Sequence, residues 1–209
     1  MSEPASTRPP VVLIHGYMCL KEMMIPLKLR LTEGGLDART VDLPPLNLGD
    51  VKELSRQFDA KLSEIMEGTG AEKCDLVGVS LGGLIGLYYI KRLGGASRVR
   101  RFVALGTPFK GTWLAVAGVL AIGLFSKGAW QSLPESPFLK DLAHGPLPEE
   151  VDYYSISVKG DTISPPERSE LDGAENIVIE IPELPQPIVH QGLIISEVAT
   201  SRLLDILLA

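Results

Sequence analysis

The chain has 209 residues, 45% of them hydrophobic, which suits one α/β domain with a substantial core and leaves no room for a second full one. Its formal net charge of -6 and pI of about 5.2 argue against a nucleic-acid partner, because neutralising a phosphate backbone needs a basic face. The two cysteines, Cys19 and Cys74, are too few for a disulfide framework and lie at no metal-ligand spacing, so both read as buried thiols.

Residues 1–10 carry no apolar stretch of the kind a secretory leader needs, which makes the cytoplasm the default location, with secretion after removal of a leader as the alternative. The run Val11-Val12-Leu13-Ile14 predicts a central strand ending in His15-Gly16. A helix is expected over 20–33, closed by Gly34-Gly35, then a strand from Ala38 to Val41 and an amphipathic helix over 51–67 stopped by Gly68. A strand near 73–79 runs into Gly78-Val79-Ser80-Leu81-Gly82, and a helix follows to about Leu93. Further strands are expected at Phe102 to Leu105, Tyr153 to Val158 and Ile177 to Ile181, with a last helix from about Gly192 to Leu208. Strands alternating with helices make a mainly parallel sheet covered on both faces, in one domain over 1–209.

One stretch breaks this rhythm. Residues 113–125 carry no charge and are apolar on every face, too short and too poorly flanked to span a bilayer. The run suits a buried core helix or, within a lid or cap over 111–135 hinged at Gly111, Gly123 and Gly128, an acyl-binding flap that could also touch a lipid surface.

The string Gly78-Val79-Ser80-Leu81-Gly82 reads as a nucleophile elbow. The chain turns so sharply from strand to helix that the serine backbone is strained and only glycine fits two residues to either side. Such a turn lifts the Ser80 hydroxyl clear of the sheet and leaves the Leu81 N–H free at a helix N-terminus to meet a developing oxyanion. A serine nucleophile needs a base, and only three histidines exist. His15 closes the first strand and more plausibly shapes an oxyanion loop. His144 looks like the cap of a short helix. His190 follows the last strand, in a loop at the carboxyl edge of the sheet where open α/β sheets bind ligands. The acid at the same edge is Asp161, after the strand ending at Val158; Asp152, Glu167, Glu170 and Asp172 are its nearby competitors, and an Asx turn is its structural alternative. The chain order Ser80, Asp161, His190 matches the serine, acid, histidine order of this hydrolase architecture.

With these residues in place the chain resembles the α/β-hydrolases of the small bacterial lipase and esterase kind, over nearly its whole length. His15-Gly16-Tyr17 resembles the family's oxyanion motif, which implies that the N–H groups of Tyr17 and Leu81 are the two donors. Leu105-Gly106-Thr107-Pro108-Phe109-Lys110-Gly111-Thr112 resembles a Gly-Thr-Pro-His-x-Gly stretch of lipases, with Phe109 in place of its histidine. Asp161 matches the acid loop, and His190-Gln191-Gly192-Leu193 resembles the segment that carries the catalytic histidine. The resemblance implies hydrolysis of a small-molecule or lipid ester with no metal or organic cofactor. Met18, Met23 and Met24 are expected in the core or beside the acyl site. An acyltransferase or thioesterase would use the same groups, and a noncatalytic binding module would keep only the scaffold.

Overall fold

The computed structural model describes residues 8–113, 126–185 and 188–209. Among them, six strands form one sheet in the order β2-β1-β3-β4-β5-β6, and every neighbouring pair is parallel. The strands are β1 (Val11–Ile14), β2 (Ala38–Thr40), β3 (Cys74–Val79), β4 (Val99–Leu105), β5 (Asp152–Val158) and β6 (Glu175–Ile179). The central strands β1 and β3 are buried at every residue, as a parallel sheet covered on both faces requires, whereas the edge strands β2 and β6 carry polar residues such as Arg39 and Glu175. Alternation along β1 sorts its side chains between two cores: Val12 and Ile14 face one, Val11 and Leu13 the other.

The first core is closed by α2 (Val51–Thr69), α3 (Leu81–Arg92) and the short α5 (Pro137–Ala143), through Phe58, Leu62, Leu84, Tyr89 and Leu139. The second is closed by α1 (Ile25–Glu33), α7 (Val189–Ile195) and α8 (Glu197–Leu208), through Leu27, Leu31, Leu193 and Leu203. Two further short helices, α4 (Lys127–Gln131) and α6 (Pro166–Ser169), lie in the connections. Among the described residues no helix is long and apolar enough to cross a membrane.

Several boundaries differ from the sequence reading, each for a local reason. The segment expected to be helical from residue 20 starts as a 3-10 turn, Lys21–Met24, and becomes α-helical at Ile25, where Pro26 suits the first helical turn. Helix α2 runs through Gly68 and stops instead at Gly70, whose φ of 68° satisfies a left-handed cap. The last helical region is two helices, because Ser196 is extended (φ -78°, ψ 139°) and its hydroxyl oxygen accepts the Val198 N–H as the cap of α8. Cys74 is buried, and burial pushes its thiol up to about 12, whereas Cys19 is only half-buried. The expected lid or flap falls mostly on residues 114–125, outside the described residues.

The elbow places α3 directly against β3. A Cβ added at Gly78 would lie 2.6 Å from the Gly83 nitrogen and from the Gly82 carbonyl oxygen, both main-chain atoms with nowhere to go. One added at Gly82 would run into the carbonyl oxygens of Ile14 and His15. Gly78→Ala is therefore expected to destabilise the fold by about 2 kcal/mol or more, as overpacking against rigid backbone does. A shift of the urea midpoint reads this directly, and a variant as stable as wild type would show that the helix can slide off the strand.

Candidate active site

Ser80 sits between β3 and α3 with φ 53° and ψ -120°, a conformation that L-residues rarely adopt and that costs about 1–3 kcal/mol. It is held there from both sides. Its N–H donates to the Leu105 carbonyl at 2.8 Å, and its own carbonyl accepts the Gly83 N–H at 3.0 Å. The side chain is partly exposed at the carboxyl edge of the sheet, and the Leu81 N–H follows at the first position of α3.

Asp161 follows β5 by three residues and is turned back over the strand end, its N–H donating to the Val158 carbonyl at 3.1 Å. Its carboxylate is buried and fully used. One oxygen accepts the N–H groups of Ile163 at 2.8 Å and Ser164 at 3.1 Å, and the other meets His190 Nδ1 at 2.6 Å. Burial alone would raise this carboxyl's pKa, but the His190 hydrogen bond and charge and the two main-chain donors outweigh it and hold the group below its ordinary value of 3.8. An Asp161 carboxylate accepting the Nδ1 proton fixes the ring in the tautomer whose Nε2 lone pair is free.

His190 lies in the first turn of α7, not in a loop. The helix begins early because the apolar Val189, Leu193 and Ile194 recur at helical spacing and are buried against the sheet. Its ring stands over the end of β4: a Cβ at Gly106, whose φ is 56°, would be 3.0 Å from His190 Cε1. Gly106 immediately follows Leu105, which pairs with Val79 next to Ser80, so the His190 ring lies over the end of the strand adjacent to the one that ends at Ser80. Among the described residues no hydrogen bond joins the Ser80 hydroxyl to the His190 ring, an arrangement common where such bonds tighten only around bound substrate.

The loop after β1 lies against the serine, since a Cβ at Gly16 would be 3.1 Å from Ser80 Cβ. Among the described residues neither the Tyr17 N–H nor the Leu81 N–H is used in a hydrogen bond. The Tyr17 hydroxyl donates to Ser126 Oγ at 3.0 Å, and Ser126 donates on to the Leu48 carbonyl at 3.0 Å. His15 is buried, and burial lowers its pKa despite the pull of the neighbouring Gly16 carbonyl; its Nδ1 faces Asn47, away from the role of a base. His144 caps α5. Of the methionines, Met24 is core, while Met18 and Met23 are about half exposed. Among the described residues no group of three or more His, Cys, Asp or Glu side chains is arranged to hold a metal ion.

No protein-family model matches the chain. In structure it is similar to the mature form of lipase BlEst2 from Bacillus licheniformis, with a TM-score of 0.80 over 98% of this chain and 94% of that one. It is similar to lipase B of Aspergillus fumigatus, with a TM-score of 0.74 over 99% of this chain but only 55% of that one, about half its length. The esterase EaEST of Exiguobacterium antarcticum gives 0.65 over 96% and 92%. The fold is that of the α/β-hydrolases. Sequence identities of 19%, 20% and 18% carry the likeness at the level of the fold.

On the α/β-hydrolase scaffold the strand ends place Ser80, Gly106 and Asp161 side by side, and α7 brings His190 above them. Asn47, absent from the sequence reading, is fully buried behind the loop that follows β1. The available signal was the Pro-Pro-Leu-Asn-Leu-Gly stretch over 44–49, where Asn is among the few residues that tolerate a left-handed backbone.

Proposed function

We propose that the protein is a serine hydrolase of carboxylic esters that works through an acyl-enzyme. The observation that carries this reading is the buried Asp161–His190 pair at 2.6 Å, set over the strand ends beside a serine held at φ 53°. Ser80 attacks the ester carbonyl while His190 Nε2 takes its proton, and Asp161 steadies the imidazolium that forms. The N–H groups of Tyr17 and Leu81 receive the oxyanion, a contribution of about 3 kcal/mol per donor in comparable sites. His190 then gives its proton to the departing alcohol, and water, activated by the same ring, releases the acid.

The substrates are acyl esters of the lipid kind, a reading supported by the lipase and esterase names of the structural neighbours and by the apolar run over 113–125. Trp113, at the described end of that run, is two-thirds exposed, with the Arg168 guanidinium 5.3 Å from its ring centre. The test is hydrolysis of p-nitrophenyl esters from acetate to palmitate, with Ser80→Ala in parallel. Turnover that rises with acyl length and vanishes in the variant is the expected result. A preference for acetate would restrict the enzyme to short soluble esters, and transfer to an added alcohol in preference to water would make it an acyltransferase. Activity retained by Ser80→Ala would overturn the mechanism.

A further inference from the structure

We propose that Asn47 is a positioning residue that latches the oxyanion loop to the segment after β2. This rests on the ester-hydrolase reading, because it assigns a purpose to the loop carrying the Tyr17 N–H. The Asn47 amide nitrogen donates to the His15 carbonyl at 2.9 Å and lies 3.1 Å from His15 Nδ1. Only the NH2 end of an amide can serve the carbonyl, so the orientation of Asn47 is fixed by that bond; His15 Nδ1, which also lies 3.2 Å from the Gly16 carbonyl, accepts from the amide in the tautomer that carries its proton on Nε2 and donates to Gly16 in the other.

Two more ties run between the same segments. The Met18 N–H donates to the Leu46 carbonyl at 2.7 Å, and the Tyr17 hydroxyl reaches the Leu48 carbonyl through Ser126. Three of the residues involved, Met18, Leu46 and Asn47, have φ between 46° and 68°, so the two segments face each other only because both are bent into the left-handed region. On its other side the His15 carbonyl abuts Gly82 of the elbow. His15 is thus clamped between the turn that carries the nucleophile and the asparagine that fixes the donor loop.

The pair is not built for stability. His15 Nε2 and Asn47 Oδ1 are both buried with no hydrogen-bond partner among the described residues, a cost that two apolar side chains would avoid. What the amide provides is the angle of the Gly16-Tyr17 peptide, on which the aim of the donor depends.

The clean variant is Asn47→Gly, because glycine accepts the φ of 46° and only the amide is lost. The isosteric Asn47→Asp keeps shape and backbone tolerance while presenting an acceptor to the His15 carbonyl. Each is expected to lower kcat on p-nitrophenyl butyrate by about a hundredfold, the effect of a small misplacement, while KM stays within about twofold. Amide hydrogen exchange read by mass spectrometry is expected to quicken over 15–18 and stay unchanged over 11–14. A kcat within about twofold of wild type in both variants would overturn the proposal, as would unchanged exchange over 15–18. If wild type shows no Ser80-dependent turnover, the ester-hydrolase reading fails by itself, and the exchange measurement still decides whether Asn47 holds the loop.

Discussion

Ser80→Ala and Ser80→Gly are both expected to lose about 10^4 to 10^6 in kcat, yet to differ in stability. Alanine keeps the Cβ that makes φ 53° and ψ -120° costly, so Ser80→Ala should unfold at nearly the same urea concentration as wild type. Glycine removes that strain of about 1–3 kcal/mol and brings back about 0.5–1 kcal/mol of chain entropy in the unfolded state. The net is a Ser80→Gly variant about 1 kcal/mol more stable than Ser80→Ala. A parallel pair of urea transitions reads the difference. If Ser80→Gly were the weaker of the two, the turn would be strained less than its dihedral angles imply.

The second large effect is expected at Asp161. On the proposed mechanism, Asp161→Asn should lower kcat by about 10^4, because the amide can donate to Nδ1 and so moves the ring proton to Nε2, where it blocks the proposed base. The same substitution tests the electrostatics. The folded-state pKa of Asp161 lies below 3.8, so its ionised form stabilises the fold above that value, and the stability is lost as pH falls through the lower folded value. Urea midpoints taken from about pH 6 down to about pH 3 should show wild type losing its advantage over Asp161→Asn only below about pH 4. A difference that does not change with pH would mean that the His190 and main-chain hydrogen bonds do not favour the carboxylate.

The elements that were legible in the sequence are those whose partners are set by a single pattern. The runs Val11–Ile14 and Cys74–Val79 could only be strands buried on both faces, and the strand-to-helix change at Ser80 fixed the place of the turn. Asp161 and His190 were readable as residues that follow strands at one edge, and the structure brings them to hydrogen-bond distance. What was not legible depended on tertiary contacts. His190 was expected in a loop because the prolines at 182, 185 and 187 just before it hid how soon Val189 and Leu193 would bury a helical face. The break at Ser196 follows from one side-chain cap within an otherwise continuous apolar pattern. Asn47 was harder to find for a different reason: beyond a composition that tolerates a left-handed turn, its contacts are a left-handed neighbour and a carbonyl 32 positions earlier, neither of which leaves a periodic trace.

The order β2-β1-β3-β4-β5-β6 has a consequence for biosynthesis. From β3 onward each newly made strand joins the sheet at the same edge, beside the one made just before it. As the chain leaves the ribosome, the serine turn can therefore settle against β1 and β4 while the C-terminal part is still inside the exit tunnel. The acid comes next and the histidine last, on a helix that needs the finished sheet beneath it. On the proposed chemistry, the serine has no base until α7 has emerged and docked, so a chain released only as far as β6 cannot act on the esters around it.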